Sequence, residues 1–329
     1  VRKKPFYMAI VVGIVSLLMV ACGADDTAEP ADAEQEEAAQ DTVEEETVET
    51  EAGGEVTVQH DLGEAVIPKN PETVVVFDFG TLDSLDRLGV EVAGVPQANV
   101  PAYLSQYEEE TYANVGTLFE PDFETIYDLQ PDLIIISGRT SEAYDELSDI
   151  APTLFVGLDT ENYLESFRSN METLGEIFGK ETEVEEALAN LEASIEEVQQ
   201  LAAEKEETGL IVLANDGNVS AYGPGSRFGV LHDEFGVTPV DENIEVSNHG
   251  QSISFEYIVE KNPDHLFVID RGAVVQEGEE TNIENELVQQ TTAYEEGNIH
   301  YLTPDYWYIS GGGLVSVEQM IDEMKAALQ

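Results

Sequence analysis

Short β-branched runs alternate with amphipathic stretches along most of this chain. Thr73-Val74-Val75-Val76-Phe77 has the pattern of a buried strand, a helical pattern follows over residues 81–88, and Val92-Ala93-Gly94-Val95 reads as the next strand. Leu133-Ile134-Ile135-Ile136 and Thr153-Leu154-Phe155-Val156 continue the alternation, with helices between them. Strands that are apolar throughout belong to a largely parallel sheet covered on both faces. From Tyr163 to about Glu204 the period changes. Leu188, Leu191, Ile195 and Val198 recur at spacings of three and four among many glutamates, which predicts a long helix or a helix pair. Beyond Gly209, strands return at Leu210-Ile211-Val212-Leu213, Val219-Ser220-Ala221-Tyr222 and Leu266-Phe267-Val268-Ile269, and a last helix is predicted over residues 315–328. The fold class expected from this order is α/β, with two α/β lobes joined by a long rigid helix and a ligand cleft between the lobes.

An internal repeat supports the division. Asp122-Phe123-Glu124-Thr125-Ile126 is followed by Pro131-Asp132, a buried strand and Arg139; Ser254-Phe255-Glu256-Tyr257-Ile258 is followed by Pro263-Asp264, a buried strand and Arg271, at a constant offset of 132 residues. Each copy reads as a capped short helix, a Pro-Asp turn and a strand that delivers an arginine at its carboxyl end. Ligands of open α/β sheets bind outside the carboxyl ends of strands, so Arg139 and Arg271 are expected to approach one cleft from opposite lobes. Arg227 joins them, in Gly225-Ser226-Arg227-Phe228-Gly229 after the strand ending at Tyr222. A lone surface arginine ordinarily pairs with an acid, but three guanidiniums in one cleft repel one another unless an anion with several oxygens joins them.

The amino-terminal segment changes the picture of where the chain works. Arg2-Lys3-Lys4, an apolar stretch from Phe6 to Val20 and Ala21-Cys22 have the order of a secretory signal, too short to remain as a membrane span. Cys22 is the only cysteine, so no disulfide framework arises. Leu18-Met19-Val20-Ala21-Cys22 resembles the lipobox of bacterial lipoproteins, in which the cysteine is acylated and holds the protein at the membrane surface. Residues 24–55 carry fourteen acids and no base, a composition that cannot bury a core and reads as a tether. The expected organisation is a signal peptide at 1–21, the lipidated cysteine and acidic tether at 22–55, an N-terminal lobe at 56–162, a linking helical segment at 163–207 and a C-terminal lobe at 208–329. With 13 basic against 69 acidic residues the net charge is −56, which excludes nucleic acid as a partner and suits a salt-tolerant organism.

Enzymatic signatures do not emerge. Gly223-Pro224-Gly225 has Phe228 where a dinucleotide fingerprint needs glycine, and no Walker loop, zinc-protease helix or nucleophile elbow occurs. The histidines His60, His232, His249, His265 and His300 show no repeated metal spacing. Ser310-Gly311-Gly312-Gly313 opens the last helix and reads as a structural turn.

Ile136-Ser137-Gly138-Arg139, Gly225-Ser226-Arg227-Phe228-Gly229, Ser247-Asn248-His249-Gly250, Ile269-Asp270-Arg271-Gly272 and Tyr306-Trp307-Tyr308-Ile309-Ser310-Gly311-Gly312 carry a resemblance. The chain resembles the siderophore-binding lipoproteins of ABC importers, within the petrobactin and catecholate-binding subfamily. That resemblance implies that Arg139, Arg227 and Arg271 hold the oxygens of a ferric siderophore, with no intrinsic cofactor. It also implies that His249 and Tyr308 complete the iron coordination of tetradentate siderophores, and that Glu124 and Glu256 dock the lobes on the permease of an importer driven by its ATPase. It places a monomer, anchored through Cys22, on the outer face of the cytoplasmic membrane of a Gram-positive bacterium. Two other readings stay open on sequence alone. A haem or cobalamin carrier would use an axial histidine or a wide apolar cleft instead of three arginines, and an enzyme or chelatase would need a nucleophile or general base.

Overall fold

Two sheets account for the two runs of predicted strands. The computed structural model describes residues 54–275 and 283–329. The leader, Cys22 and most of the acidic segment lie outside the described residues. In the N-terminal lobe a hairpin of β1 (Glu55–His60) and β2 (Gly63–Pro68) precedes a parallel sheet of β3 (Val74–Val76), β4 (Gly94–Val95), β5 (Ala113–Asn114), β6 (Leu133–Ile136) and β7 (Thr153–Phe155), in the order β5-β4-β3-β6-β7. In the C-terminal lobe β8 (Thr208–Asn215), β9 (Asn218–Tyr222), β10 (Thr238–Pro239), β11 (Gln251–Ile253), β12 (His265–Asp270) and β13 (Ile299–Leu302) form a sheet ordered β11-β9-β8-β12-β13, with β10 also paired to β8.

The second sheet is mixed. β12 runs parallel to β8 and β13, but β9 is antiparallel to both β8 and β11. The cause is a two-residue turn, Asp216-Gly217, with φ of +48° and +76°. Positive φ at both positions gives the turn whose twist matches a tight hairpin. The parallel expectation therefore holds for the whole first sheet and only for the β8, β10, β12 and β13 part of the second.

Helices are α1 (Phe79–Leu88), α2 (Phe123–Leu129), α3 (Tyr144–Ser148), α4 (Tyr163–Phe178), α5 (Glu181–Lys205), α6 (Val230–Asp233), α7 (Phe255–Lys261), α8 (Gly272–Val275), α9 (Thr292–Glu295) and α10 (Leu314–Ala327). The segment between the sheets is a helix pair, broken where Gly179 takes φ +61° as the left-handed cap of α4. In α5 the predicted stripe Leu188, Leu191, Ile195 and Val198 is buried. α10 packs against both α1 and α5, so one apolar core joins Leu82 and Leu85 of α1, the α5 stripe, and Val317 and Met320 of α10. Strand residues alternate between this core and an outer one in each lobe: Val74 and Val76 face it while Val75 and Phe77 face away, and Ile211 faces it while Leu210 and Val212 face away. No helix among the described residues is long and apolar enough to cross a membrane.

The repeat is built in three dimensions. Gln130 and Asn262, equivalent C-caps of α2 and α7, have φ of +50° and +47°. Asp132 Oδ2 accepts from the backbone N–H of Thr73 at 2.8 Å and Glu72 at 3.0 Å; its counterpart Asp264 Oδ2 accepts from the Thr208 N–H and hydroxyl, both at 2.8 Å. Each Pro-Asp turn thus ties the incoming strand to the first strand of its own sheet. The caps differ: Asp122 accepts from Thr125 N–H at 3.2 Å, whereas the Ser254 side chain caps nothing.

Candidate functional site

The three arginines meet around a single tyrosine. Arg139 follows β6, Arg271 follows β12, and Arg227 lies in the loop after β9; Tyr308 sits on a π-helical turn, Asp305–Ser310, after β13. Such turns aim side chains in directions a regular helix does not, and they recur at functional sites. Arg139 donates to the carbonyls of Tyr308 at 2.6 Å and Ile309 at 2.9 Å, and Arg227 donates to the Tyr308 carbonyl at 2.7 Å. Arg271 Nε donates to the Tyr308 hydroxyl at 2.8 Å while its Nη1 donates to Asn215 Oδ1 at 3.1 Å. The guanidinium carbons of Arg139, Arg227 and Arg271 lie 5.8, 4.4 and 5.9 Å from the Tyr308 ring centroid, the range of cation–π attraction.

Among the described residues no ion pair involves Arg139, Arg227 or Arg271. Burial, and then the charge of Arg227, lower the pKa of Arg139, against a weaker opposite pull from Asp78. That carboxylate is already engaged, capping α1 through Thr81 N–H at 2.8 Å and accepting from Ser137 Oγ at 2.6 Å. Burial pushes the Tyr308 phenol up, but the hydrogen bond from Arg271 and the charges of Arg227, Arg271 and Arg139 outweigh it, and the net pKa is lowered. The three arginines thus favour the charged form of the phenol more than burial disfavours it.

A cavity of about 400 Å³ opens beside this cluster, lined by Arg139, Arg227, His249, Trp307 and Tyr308 among others. His249 is exposed at its rim, in a turn where Ser247 Oγ accepts from its backbone N–H at 3.1 Å. Arg271 does not line the cavity; it stands behind Tyr308 and fixes the hydroxyl. Glu124 and Glu256 lie elsewhere, both exposed and in the first turns of α2 and α7. Hydrogen bonds from its own backbone N–H and from Ser254 hold the Glu256 carboxyl below its ordinary range. Cys22 lies outside the described residues.

Sequence reasoning missed the support behind the tyrosine. Asp83 of α1 is fully buried and caps α10 across the interface, accepting from the N–H of Ser316 at 3.0 Å and Val315 at 3.2 Å and from the Tyr103 hydroxyl at 3.0 Å. Tyr103 also meets Ser310 Oγ at 2.7 Å. A Cβ at Gly80 would lie 2.7 Å from the Ser310 carbonyl oxygen, and one at Gly313 would collide with the Asp83 carboxylate, so both glycines permit the close approach. The N-terminus of α10 is thus met by an internal carboxylate, while Ser310, Gly311 and Gly312 of the preceding turn also line the cavity. The visible signal was an aspartate on the apolar face of α1, between Leu82 and Leu85.

Residues 74–306 match the Periplasmic binding protein family. The chain is 46% identical to the petrobactin-binding protein YclQ of Bacillus subtilis over 332 residues, 99% of each chain, and 36% identical to the ferric-anguibactin-binding protein FatB of Vibrio anguillarum, covering 82% of this chain and 86% of that one. Its structure superposes on the YclQ crystal structure with a TM-score of 0.81 at 51% identity, covering 84% of this chain and 99% of that chain. It also matches the periplasmic catecholate-siderophore binding protein VctP of Vibrio cholerae, with a TM-score of 0.79 at 40% identity over 83% of this chain and 100% of that chain. These relatives are substrate-binding proteins and not enzymes.

Proposed function

Because this chain belongs to the periplasmic binding protein family, we propose that it captures a ferric siderophore of the catecholate or petrobactin-like type and delivers it to an ABC permease. The observation that carries this reading is the convergence of Arg139, Arg227 and Arg271 on Tyr308 without a carboxylate partner among the described residues. A ferric catecholate complex is anionic, and its oxygens accept charge-assisted hydrogen bonds from guanidiniums that otherwise face carbonyls, a phenol hydroxyl and aromatic rings. Arg227 gives one hydrogen bond to the protein among the described residues, so most of its five N–H donors remain for a ligand. Arg139 is divided between the protein and the cleft, and Arg271 acts on the ligand through the phenol it holds.

His249 and Tyr308 serve as direct iron ligands when a tetradentate siderophore leaves two positions open. The lowered phenol pKa favours this role for Tyr308, and the exposed rim position leaves His249 free to approach. Glu124 and Glu256 dock the N-terminal lobe, residues 56–162, and the C-terminal lobe, residues 208–329, on the two permease halves, with residues 163–207 as the link. Acylated Cys22 holds the protein at the outer face of the cytoplasmic membrane, with the acidic segment as its tether.

Trp307, the only tryptophan, lines the cavity and reports on occupancy. Titration of its fluorescence with ferric petrobactin, ferric enterobactin, ferric citrate and haem tests the proposal. Saturable quenching by the catecholates, with haem inert, is expected; tight binding of haem alone would refute it.

A further inference from the structure

We propose that Phe119 is a ligand-contacting residue that sets specificity, offering its ring face to the aromatic ring of the iron-chelating catechol; this rests on the siderophore reading of the cleft. Phe119 is 69% exposed, and no large apolar side chain among the described residues is more so. Single exposed apolar residues are common and need no explanation when they sit on loose loops. This one does not.

The turn that carries it is fixed from several sides. Gly116, at φ +106°, bridges Pro121, and Thr117 N–H donates to the Glu120 carbonyl at 3.0 Å. Thr117 Oγ1 accepts from the N–H of Phe119 at 3.2 Å and of Glu120 at 2.9 Å. The adjacent Leu118 is buried, and its carbonyl accepts from Thr140 Oγ1 at 2.7 Å. Thr140 follows Arg139 directly, so the turn bearing the ring and the strand end bearing the guanidinium are held in one frame. An aromatic ring presented this way loses little freedom on binding.

The direction of the ring follows from the cavity. Phe119 lines the same space as Arg139, Arg227 and Tyr308, whereas Phe123 and Tyr127, the exposed aromatics of α2, do not. The other lobe supplies a second reason. Asn248 and His249, in the loop that precedes β11, line the same cavity. The space is thus faced by a phenyl from one lobe and an imidazole from the other. A catechol has anionic oxygens and a flat π face: arginines recognise the first, and an offset-stacked phenyl recognises the second.

The test is titration of Trp307 fluorescence in the full chain with ferric petrobactin, comparing wild type, Phe119→Ala, Phe119→Leu and Phe119→Tyr. Aromatic pairing of this kind predicts a loss of about three- to tenfold in affinity for the Ala and Leu variants and wild-type affinity within about twofold for Tyr, with unchanged melting temperatures. Wild-type affinity in the Leu variant, or a Tyr variant as weak as Leu, overturns the inference while leaving the siderophore reading intact. So does unchanged affinity in all three with loss of iron uptake in cells, which would assign Phe119 to the permease face. Absence of saturable binding by the wild type overturns the siderophore reading and this inference with it.

Discussion

The two lobes share a frame and differ at their tips. Each has a Pro-Asp turn whose carboxylate ties two strands, a left-handed cap at Gln130 or Asn262, and an arginine at a strand end. Yet Arg139 lines the cleft while Arg271 stands behind Tyr308 and orients its hydroxyl. The helices before those strands differ as well. α2 exposes Phe123 and Tyr127 beside Glu124, whereas in α7 Tyr257 donates to Asp241 at 2.8 Å, and Lys261 pairs with the same carboxylate at 2.7 Å. Duplication accounts for a frame whose backbone hydrogen bonds leave little choice of residue. On the proposed function each lobe would meet a different part of the ligand and a different half of the permease, which leaves the tips free to diverge.

That asymmetry can be broken first in cells. Reversing both charges, Glu124→Lys with Glu256→Lys, is expected to abolish siderophore-dependent iron uptake while leaving ligand affinity unchanged, since repulsion replaces attraction at a desolvated contact. Of the two single variants Glu124→Lys should be the more damaging, because exposed aromatics surround it. Equal effects would mean that the exposed rings of α2 add nothing to docking.

The shared frame should respond symmetrically. Asp132→Ala and Asp264→Ala each remove a carboxylate that accepts two hydrogen bonds at the root of a sheet. Each should cost about 1.5 to 3 kcal/mol, the range for hydrogen bonds to a charged group, read from urea unfolding. A large cost in one lobe and none in the other would show that the repeat survives as sequence without a common structural role.

Smaller effects distinguish the lobes by pH. Burial pushes the Asp83 carboxyl up to about 7 against the hydrogen bonds it accepts, so its contribution to stability is greatest in acid and is lost as pH rises from about 4 to 7. Burial, then the neighbouring His265 and Lys205, lower His300 from 6.5 to about 4, so its contribution is present above 6.5 and is lost as pH falls to 4. Stability measured against pH should therefore show Asp83→Asn gaining on wild type as pH rises from 5 to 7, and His300→Gln gaining as pH falls from 6.5 to 5. Parallel profiles would contradict both assignments.

Much of this was legible in the sequence. The apolar runs at residues 74–76 and 133–136 became central buried strands because β-branched side chains fill a sheet covered on both sides. The spacing of Leu188 to Val198 survived as the buried stripe of α5, and the repeat placed Glu124 and Glu256 on equivalent helices. What escaped was of two kinds. Asp216-Gly217 carried a hairpin signal that went unread beside the stronger strand pattern around it. Asp83 could not be read at all as a cap of α10, since the helix end it satisfies is more than two hundred residues away. The position of Arg271 behind Tyr308 depends likewise on the π-helical turn, whose side-chain directions no regular periodicity conveys.

The central claim is that Arg139, Arg227 and Arg271 act together on one anionic ferric complex. Fluorescence titration of Trp307 with ferric petrobactin in the three single Arg→Ala variants tests it most directly. Loss of about 1.5 to 3 kcal/mol, roughly ten- to hundredfold in affinity, is predicted for each, with less than the sum when two are combined, because all three converge on Tyr308. Wild-type affinity in all three variants would contradict the account.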